Sequence, residues 1–151
     1  MWRIEKMISE PDYIDRDELG LFCTLIESVT VAYNPIRTIK FDIIKPINLS
    51  ESPLRYSKGT LTFKDVIQGE IKLINEKFEY PEFHCSAIRT SSDILTKILQ
   101  NKGVDQGSYK DYYISIDHGN SQDEYHIICQ THELLLDDSG KLLGDFEGFE
   151  E

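Results

Sequence analysis

The side chains best suited to chemistry are concentrated in one stretch, IDHGNSQDEYHIICQTHELLLDD, at residues 116 to 138. This stretch holds three of the four histidines of the chain, one of its three cysteines and six acidic residues. Such side chains can ligate a metal ion, transfer protons in catalysis, or form an acidic surface for a basic partner. Their spacing, and the elements that must position them, distinguish these three uses.

A zinc site would combine Cys129 and His132 with His84 and Cys85, because these four residues carry donors that zinc prefers. Residues of one strand that are an odd number of positions apart point to opposite faces of a sheet. We therefore expect Cys129 and His132 to lie on opposite faces. The sequence predicts no metal site and no cofactor.

A metal-dependent hydrolase is an alternative, because carboxylates that converge at turns can bind Mg²⁺ or Ca²⁺. The loop DHGNSQDE is not an EF-hand, since Gly119 stands where an oxygen ligand is expected. A nuclease also needs basic residues to hold phosphate, and from residue 111 onward the only lysine or arginine is Lys141. The acids in question flank two predicted turns: Asp117, Asp123, Glu124, Asp137 and Asp138.

Catalytic motifs of other kinds are absent from the sequence. It contains no G-x-S-x-G nucleophile turn and no H-E-x-x-H zinc motif, and its nine glycines are dispersed rather than grouped in a phosphate-binding loop. We therefore predict that the protein is not an enzyme.

The acidic charge of the chain lies almost entirely in its last 41 residues. Residues 1 to 110 contain 15 basic and 16 acidic residues, whereas residues 111 to 151 contain one lysine and 11 acidic residues, out of a total net charge of −11. Clustered like charges repel one another and persist at a cost to the compact state, so they indicate a partner of opposite charge. We expect a basic protein as partner, and neither nucleic acid nor a membrane.

The remaining composition is typical of one cytoplasmic domain covering residues 1 to 151. Charged residues interrupt the apolar positions of the first residues, so a secretory signal is not predicted, and no apolar run is long enough to cross a bilayer. Three cysteines far apart are an odd number for disulfides and suit a reducing compartment. We expect the acidic tail, residues 147 to 151, to be frayed.

The periodicity of the apolar residues predicts an α+β fold with a mainly antiparallel sheet. Alternating patterns indicate a hairpin near residues 21–44 and a meander near residues 111–146, with a bend at residues 138–140. Helical spacing indicates two helices, at about residues 62–78 and 92–102, packed on one face of the sheet. The second helix has Ser92 as its N-cap and Gly103 as its stop. Residues 12–28 leave helix and strand open as alternatives, and residues 45–58 have the composition of a loop.

The two strands 112–117 and 124–130 each have an apolar face and a mixed face. Tyr112, Ile114, Ile116, Tyr125, Ile127 and Cys129 are expected to be buried against the two helices. The opposite face would then be exposed, with aromatic anchors bordered by acids, as in protein interfaces. The residues predicted to bind the partner are Tyr113, Asp117, Asp123, Glu124, His126, Asp137 and Asp138.

A small, acidic α+β domain with a concentrated anionic surface and no catalytic signature resembles the immunity proteins of bacterial contact-dependent and other polymorphic toxin systems. The members of that class bind a toxic domain, often a basic nuclease, and block its active site. The resemblance implies a non-catalytic inhibitor of a toxin. A second alternative is an accessory module of a phage or mobile element that uses the same surface to bind a host factor.

Overall fold

The computed structural model describes residues 16–47, 55–73, 81–103, 108–117, 122–137 and 141–142. Within these ranges the protein is a mainly antiparallel sheet with one helix, so the predicted α+β class is confirmed and the predicted count of two helices is wrong. In chain order the elements are β1 Leu25–Ala32, β2 Thr38–Pro46, β3 Arg55–Lys72, β4 Glu82–Arg89, α1 Asp93–Lys102, β5 Lys110–Asp117, β6 Gln122–Leu136 and β7 Lys141–Leu142. Within the described ranges, no helix has the length and apolar character needed to cross a bilayer.

Six of the strands close into a ring in the order β1, β2, β3, β6, β5, β4. The junction between β4 and β1 is the weakest, because its ladder in the described residues is the single pair Leu25 and Glu82. Beyond that pair, residues 16–18 take the place of β1 beside β4. There the Ser86 N–H donates to the Arg16 carbonyl at 2.9 Å. Closure thus satisfies backbone groups that an open sheet would leave at its edges.

The segment 62–78, predicted as a helix, is strand β3 instead as far as β3 extends. Near its middle, β3 has apolar residues on both faces, since Phe63 and Val66 point into the ring while Ile67 packs against α1 outside it. A bulge between Val66 and Gln68 also shifts the alternation of the side chains. In a bulged strand with apolar residues on both faces, apolar and polar residues do not alternate. The apolar residues of β3 therefore have a spacing that is typical of a helix.

The interior of the ring is the main hydrophobic core, and it contains the six residues predicted to be the buried face of β5 and β6. That assignment of faces is confirmed. The expectation that helices would cover these residues is wrong, because the opposing strands cover them. The Phe41 ring lies 5.0 Å from that of Tyr125, and the Phe63 ring lies 5.0 Å from that of Tyr112, all in edge-on contacts.

Helix α1 lies on the outer surface of the ring. Ser92 is its N-cap, with the side chain accepting a hydrogen bond from the Leu95 N–H at 3.0 Å, and Gly103 ends it with a φ of 66°. Both predictions for this helix are confirmed. Its buried residues, Leu95 and Leu99, pack on Ile128 of the sheet. The apolar stripe of α1 therefore covers part of the outer face of β6.

The predicted hairpin at residues 21–44 is confirmed as β1 and β2, although its first strand begins at Leu25. The strands of the predicted meander are present, but the prediction that its last two strands pair with each other is wrong. Both β6 and β7 are antiparallel to β3, so β7 runs in the same direction as β6 and continues along β3. The bend at residues 138–140 and the tail at residues 147–151 lie outside the described residues.

The close approach of β3 to β6 depends on Gly59. A Cβ atom on Gly59 would lie 2.3 Å from the Leu135 carbonyl oxygen, whereas a Cβ on Gly69 would meet only the end of the Ile39 side chain, at 3.3 Å. We expect Gly59→Ala to lower the free energy of unfolding by about 1 to 3 kcal/mol, because a backbone atom must shift. Gly69→Ala is the control, with a smaller effect. Urea denaturation would measure both, and equal losses would contradict the steric argument.

Candidate functional site

Four carboxylates gather where β4 begins, β5 ends and β6 begins, and we call them the acidic rim: Glu82, Asp117, Asp123 and Glu124. Asp117 lies directly opposite Glu82 on the neighbouring strand. Glu124 is diagonal to Asp117, a relation that places side chains roughly 7 to 8 Å apart. Asp123 is opposite Ile116, an interior residue, so it lies on the inner side of the rim. The other three acids lie on the outer side.

The two acids Glu82 and Asp117 repel each other. Burial raises the pKa of the Glu82 carboxyl above its ordinary value, Asp117 raises it further, and His84 acts in the opposite direction. The same negative field reaches Cys23, whose thiol pKa is raised by burial first and then by Glu82. A cation placed near this pair would lower the pKa of Glu82 and relieve the repulsion.

Glu124 is held in place by a buried tyrosine. The Tyr113 hydroxyl donates a hydrogen bond of 2.8 Å to Oε2 of Glu124, and Tyr113 is only 6% exposed. Burial, followed by the bond to Glu124, raises the pKa of Tyr113, so its hydroxyl stays protonated and remains a donor. The other oxygen of Glu124, Oε1, lies 3.7 Å from Nζ of Lys72.

His126 belongs to a buried polar network beneath the outer surface. Its Nε2 is hydrogen-bonded to one oxygen of Asp111, and the other oxygen of Asp111 accepts a bond of 2.9 Å from the Ser92 hydroxyl. The aspartate stands between the serine and the histidine, so the histidine cannot take the serine proton as it does in a Ser-His-Asp triad. The network ties the start of α1 to β5 and β6, which is a structural task.

The three cysteines are free thiols, and each has a raised pKa for which burial is the first cause. The pKa of Cys129 rises to about 12. Because the thiolate is the reactive form, these cysteines are poor nucleophiles at neutral pH. Cys85 packs on the outside of the ring with Tyr113, whereas Cys129 lies in the interior. The two cysteines considered for zinc are therefore on different sides of the sheet.

His132 lies on the same side as Cys129, contrary to the expectation that an odd spacing separates them. Its ring contacts those of Phe63 and Tyr112, and the Tyr112 hydroxyl is 2.9 Å from Nδ1 of His132. The regular alternation fails beside Asp65, a residue of β3 with a left-handed φ of 58°. Burial, and then Lys110, lower the pKa of His132.

The structure brings together only part of the predicted set of binding residues. Asp117, Asp123 and Glu124 share the rim, whereas Asp137 is beyond the opposite end of β6 and Asp138 lies outside the described residues. Tyr113 and His126 were expected to be exposed anchors, and that is wrong: they are 6% and 7% exposed. Two members of the site, Glu82 and Lys72, were not predicted from the sequence, because only long-range strand pairing brings them to the rim.

Neither a metal centre nor a relative supplies further evidence. Within the described residues, no group of three or more histidine, cysteine, aspartate or glutamate side chains is arranged to hold a metal ion. Comparisons with protein-family models, curated proteins and solved structures found no match. The geometry and charge of the site are thus the basis for the proposals below.

The repulsion within the rim predicts that Glu82→Gln stabilises the protein. Near pH 7 we expect a gain of about 0.2 to 1 kcal/mol, the range of a cross-strand pair. The folded state binds the Glu82 proton at a higher pH than the unfolded state does, so the wild type gains stability as the pH falls through the raised pKa towards 4.5. The gain should therefore shrink in acid. Denaturation of Glu133→Gln, which loses an ion pair with Lys64, is the control. A less stable Glu82→Gln at neutral pH would contradict the argument.

The lowered pKa of His132 predicts a different pH dependence. Below about pH 6.5 the unfolded state binds a proton at His132, whereas the folded state does not yet do so. The free energy of unfolding therefore decreases as the pH falls from about 6.5 towards the lowered pKa of His132. We expect His132→Gln to remove this part of the loss. Urea denaturation of both proteins at several pH values between about 5 and 7.5 would measure it. Parallel curves would mean that His132 does not titrate in this way.

Proposed function

We propose that the protein is a non-catalytic binding protein that neutralises a basic partner through the acidic rim. The observation that carries the proposal is that Glu82 and Asp117 face each other across β4 and β5. Two like charges in this position reduce the stability of the free protein. A lysine or arginine of a partner would convert this repulsion into attraction, which favours the complex.

The charge distribution along the chain supports the same proposal. With ten of the eleven net negative charges in the last 41 residues, the molecule attracts cationic surfaces over long distances. Such steering raises association rates at low salt well above those of a neutral pair. It also disfavours nucleic acid and anionic membranes as partners.

The partner that fits this chemistry best is a toxic domain with a basic active site, such as a nuclease. Lysines and arginines that hold phosphate in a nuclease cleft would bind carboxylates at the rim, and the bound protein would block the cleft. The protein would then be an immunity protein acting in the cytoplasm. Its free thiols suit a reducing compartment.

The buried residues of the predicted set have supporting roles in this proposal. Tyr113 fixes the carboxylate of Glu124, and His126 holds Asp111 and thereby the start of α1. Neither side chain offers the exposed area of an interface anchor. The partner would contact the acidic rim and the exposed residues next to it.

Removal of the rim charges tests the proposal. The partner would first be captured from the native host at low salt and released at high salt, and its inhibition would be measured. We expect replacement of Asp117, Asp123 and Glu124 by serine to slow association by on the order of tenfold and to weaken its salt dependence. Because Glu124→Ser removes the acceptor of the buried Tyr113 hydroxyl, the melting temperature should fall somewhat, and association would be measured well below it.

A variant that loses the same number of acids elsewhere is the matched control. Glu27 on β1, Asp42 on β2 and Glu133 near the other end of β6 are not part of the rim, so their replacement by serine should slow association less. If the two triple variants slowed association equally, the net charge of the protein would explain the effect, and a specific role for the rim would be refuted. Capture of a host factor that is neither basic nor toxic would refute the immunity function.

A further inference from the structure

We infer that Glu124 is a preformed receptor for an arginine side chain of the partner, and that Lys72 occupies it in the free protein. The inference rests on the proposed function, because it concerns the same rim. It assigns different tasks to three residues of the site: Glu124 binds the guanidinium, Tyr113 positions Glu124, and Lys72 competes for it.

The positioning by Tyr113 is the first part of the geometry. A buried hydroxyl 2.8 Å from Oε2 fixes the orientation of a carboxylate that would otherwise rotate. Because the side chain is already ordered, binding does not have to immobilise it, and the entropy loss on association is smaller. Each carboxylate oxygen can accept more than one hydrogen bond, so the bond from Tyr113 leaves capacity for a ligand.

The loose contact with Lys72 is the second part. Nζ of Lys72 is 3.7 Å from Oε1, which is longer than a hydrogen bond, and the lysine side chain is 59% exposed while that of Glu124 is 19% exposed. An ion pair that is open to water on one side contributes little to stability. Lys72 can therefore leave at small cost, and its departure uncovers a carboxylate that the fold keeps in place.

The chemistry of the vacated position favours arginine over lysine. A guanidinium presents parallel N–H groups that match the two oxygens of a carboxylate, whereas an ammonium ion is a point donor with a strong hydration shell. Lysine at Glu124 would only replace the contact that Lys72 already makes. A guanidinium would instead donate two parallel hydrogen bonds, one to each carboxylate oxygen.

An oligoarginine peptide and an oligolysine peptide of equal length are suitable probes, with affinity measured by calorimetry on the whole chain at low salt. We expect the wild type to bind the arginine peptide about threefold more tightly or better. Lys72→Gln should raise affinity for the arginine peptide about two- to fivefold, the range of an exposed ion pair. Tyr113→Phe should reduce the preference for arginine, and its fold would be checked by circular dichroism.

Lys64→Gln is the matched control, because Lys64 forms an ion pair with Glu133 at 3.1 Å between the same two strands. It removes the same charge, so any equal rise in affinity would be a general charge effect and would overturn the role of Lys72.

Loss of the arginine preference only in Tyr113→Phe, with Tyr125→Phe unchanged, supports the positioning role. Equal binding of both peptides by the wild type overturns the inference but leaves a basic partner possible. Binding of neither peptide would count against the acidic rim as well.

Discussion

The pairing of one strand, β3, with neighbours on both sides is the constraint on which the rest of the structure depends. β2 lies along the first half of β3, and β6 lies along nearly all of it. The β1–β2 hairpin is thereby joined to the strands β4, β5 and β6, and the sheet closes. Closure creates an interior where Phe41 and Phe63 meet the tyrosines of β5 and β6. It also sets the outer surface, on which α1 and three of the four acids of the rim lie.

How far the sequence predicts this fold depends on the range of the interactions involved. The caps of α1 were predicted because a cap depends on residues within one turn, as Ser92 and Gly103 show. The inner faces of β5 and β6 were predicted because alternation follows from strand geometry alone. That β3 is a strand was not predicted, because a bulge and apolar residues on both faces remove the alternation of apolar and polar residues. The acids of the rim were visible as charges, but the pairing of Glu82 with Asp117 joins residues far apart in the chain.

The outer face of the sheet was the hardest part to predict, because its polar residues suggested exposure. Asp111, Tyr113 and His126 are all buried there, and each is satisfied by a specific hydrogen bond. Burial of a polar group is tolerated when such a partner is present, and a sequence does not show where the partner will be. The same pattern of polar residues is therefore compatible with a solvent-exposed surface and with a buried hydrogen-bond network. Only the tertiary contacts distinguish them.

The position of each acid along its strand explains which carboxylates the fold surrounds with hydrogen-bond partners and which it places opposite another acid. Asp111 lies in the covered part of β5, where an isolated carboxylate would be costly, and it has two hydrogen-bond partners. Glu82 and Asp117 lie at strand ends, where water reaches them in part and screens their repulsion. In the middle of the sheet, farther from water, the same repulsion would be screened less and would cost more free energy. Two facing acids are therefore better tolerated at the ends of strands than in their covered parts, and Glu82 and Asp117 lie at such ends.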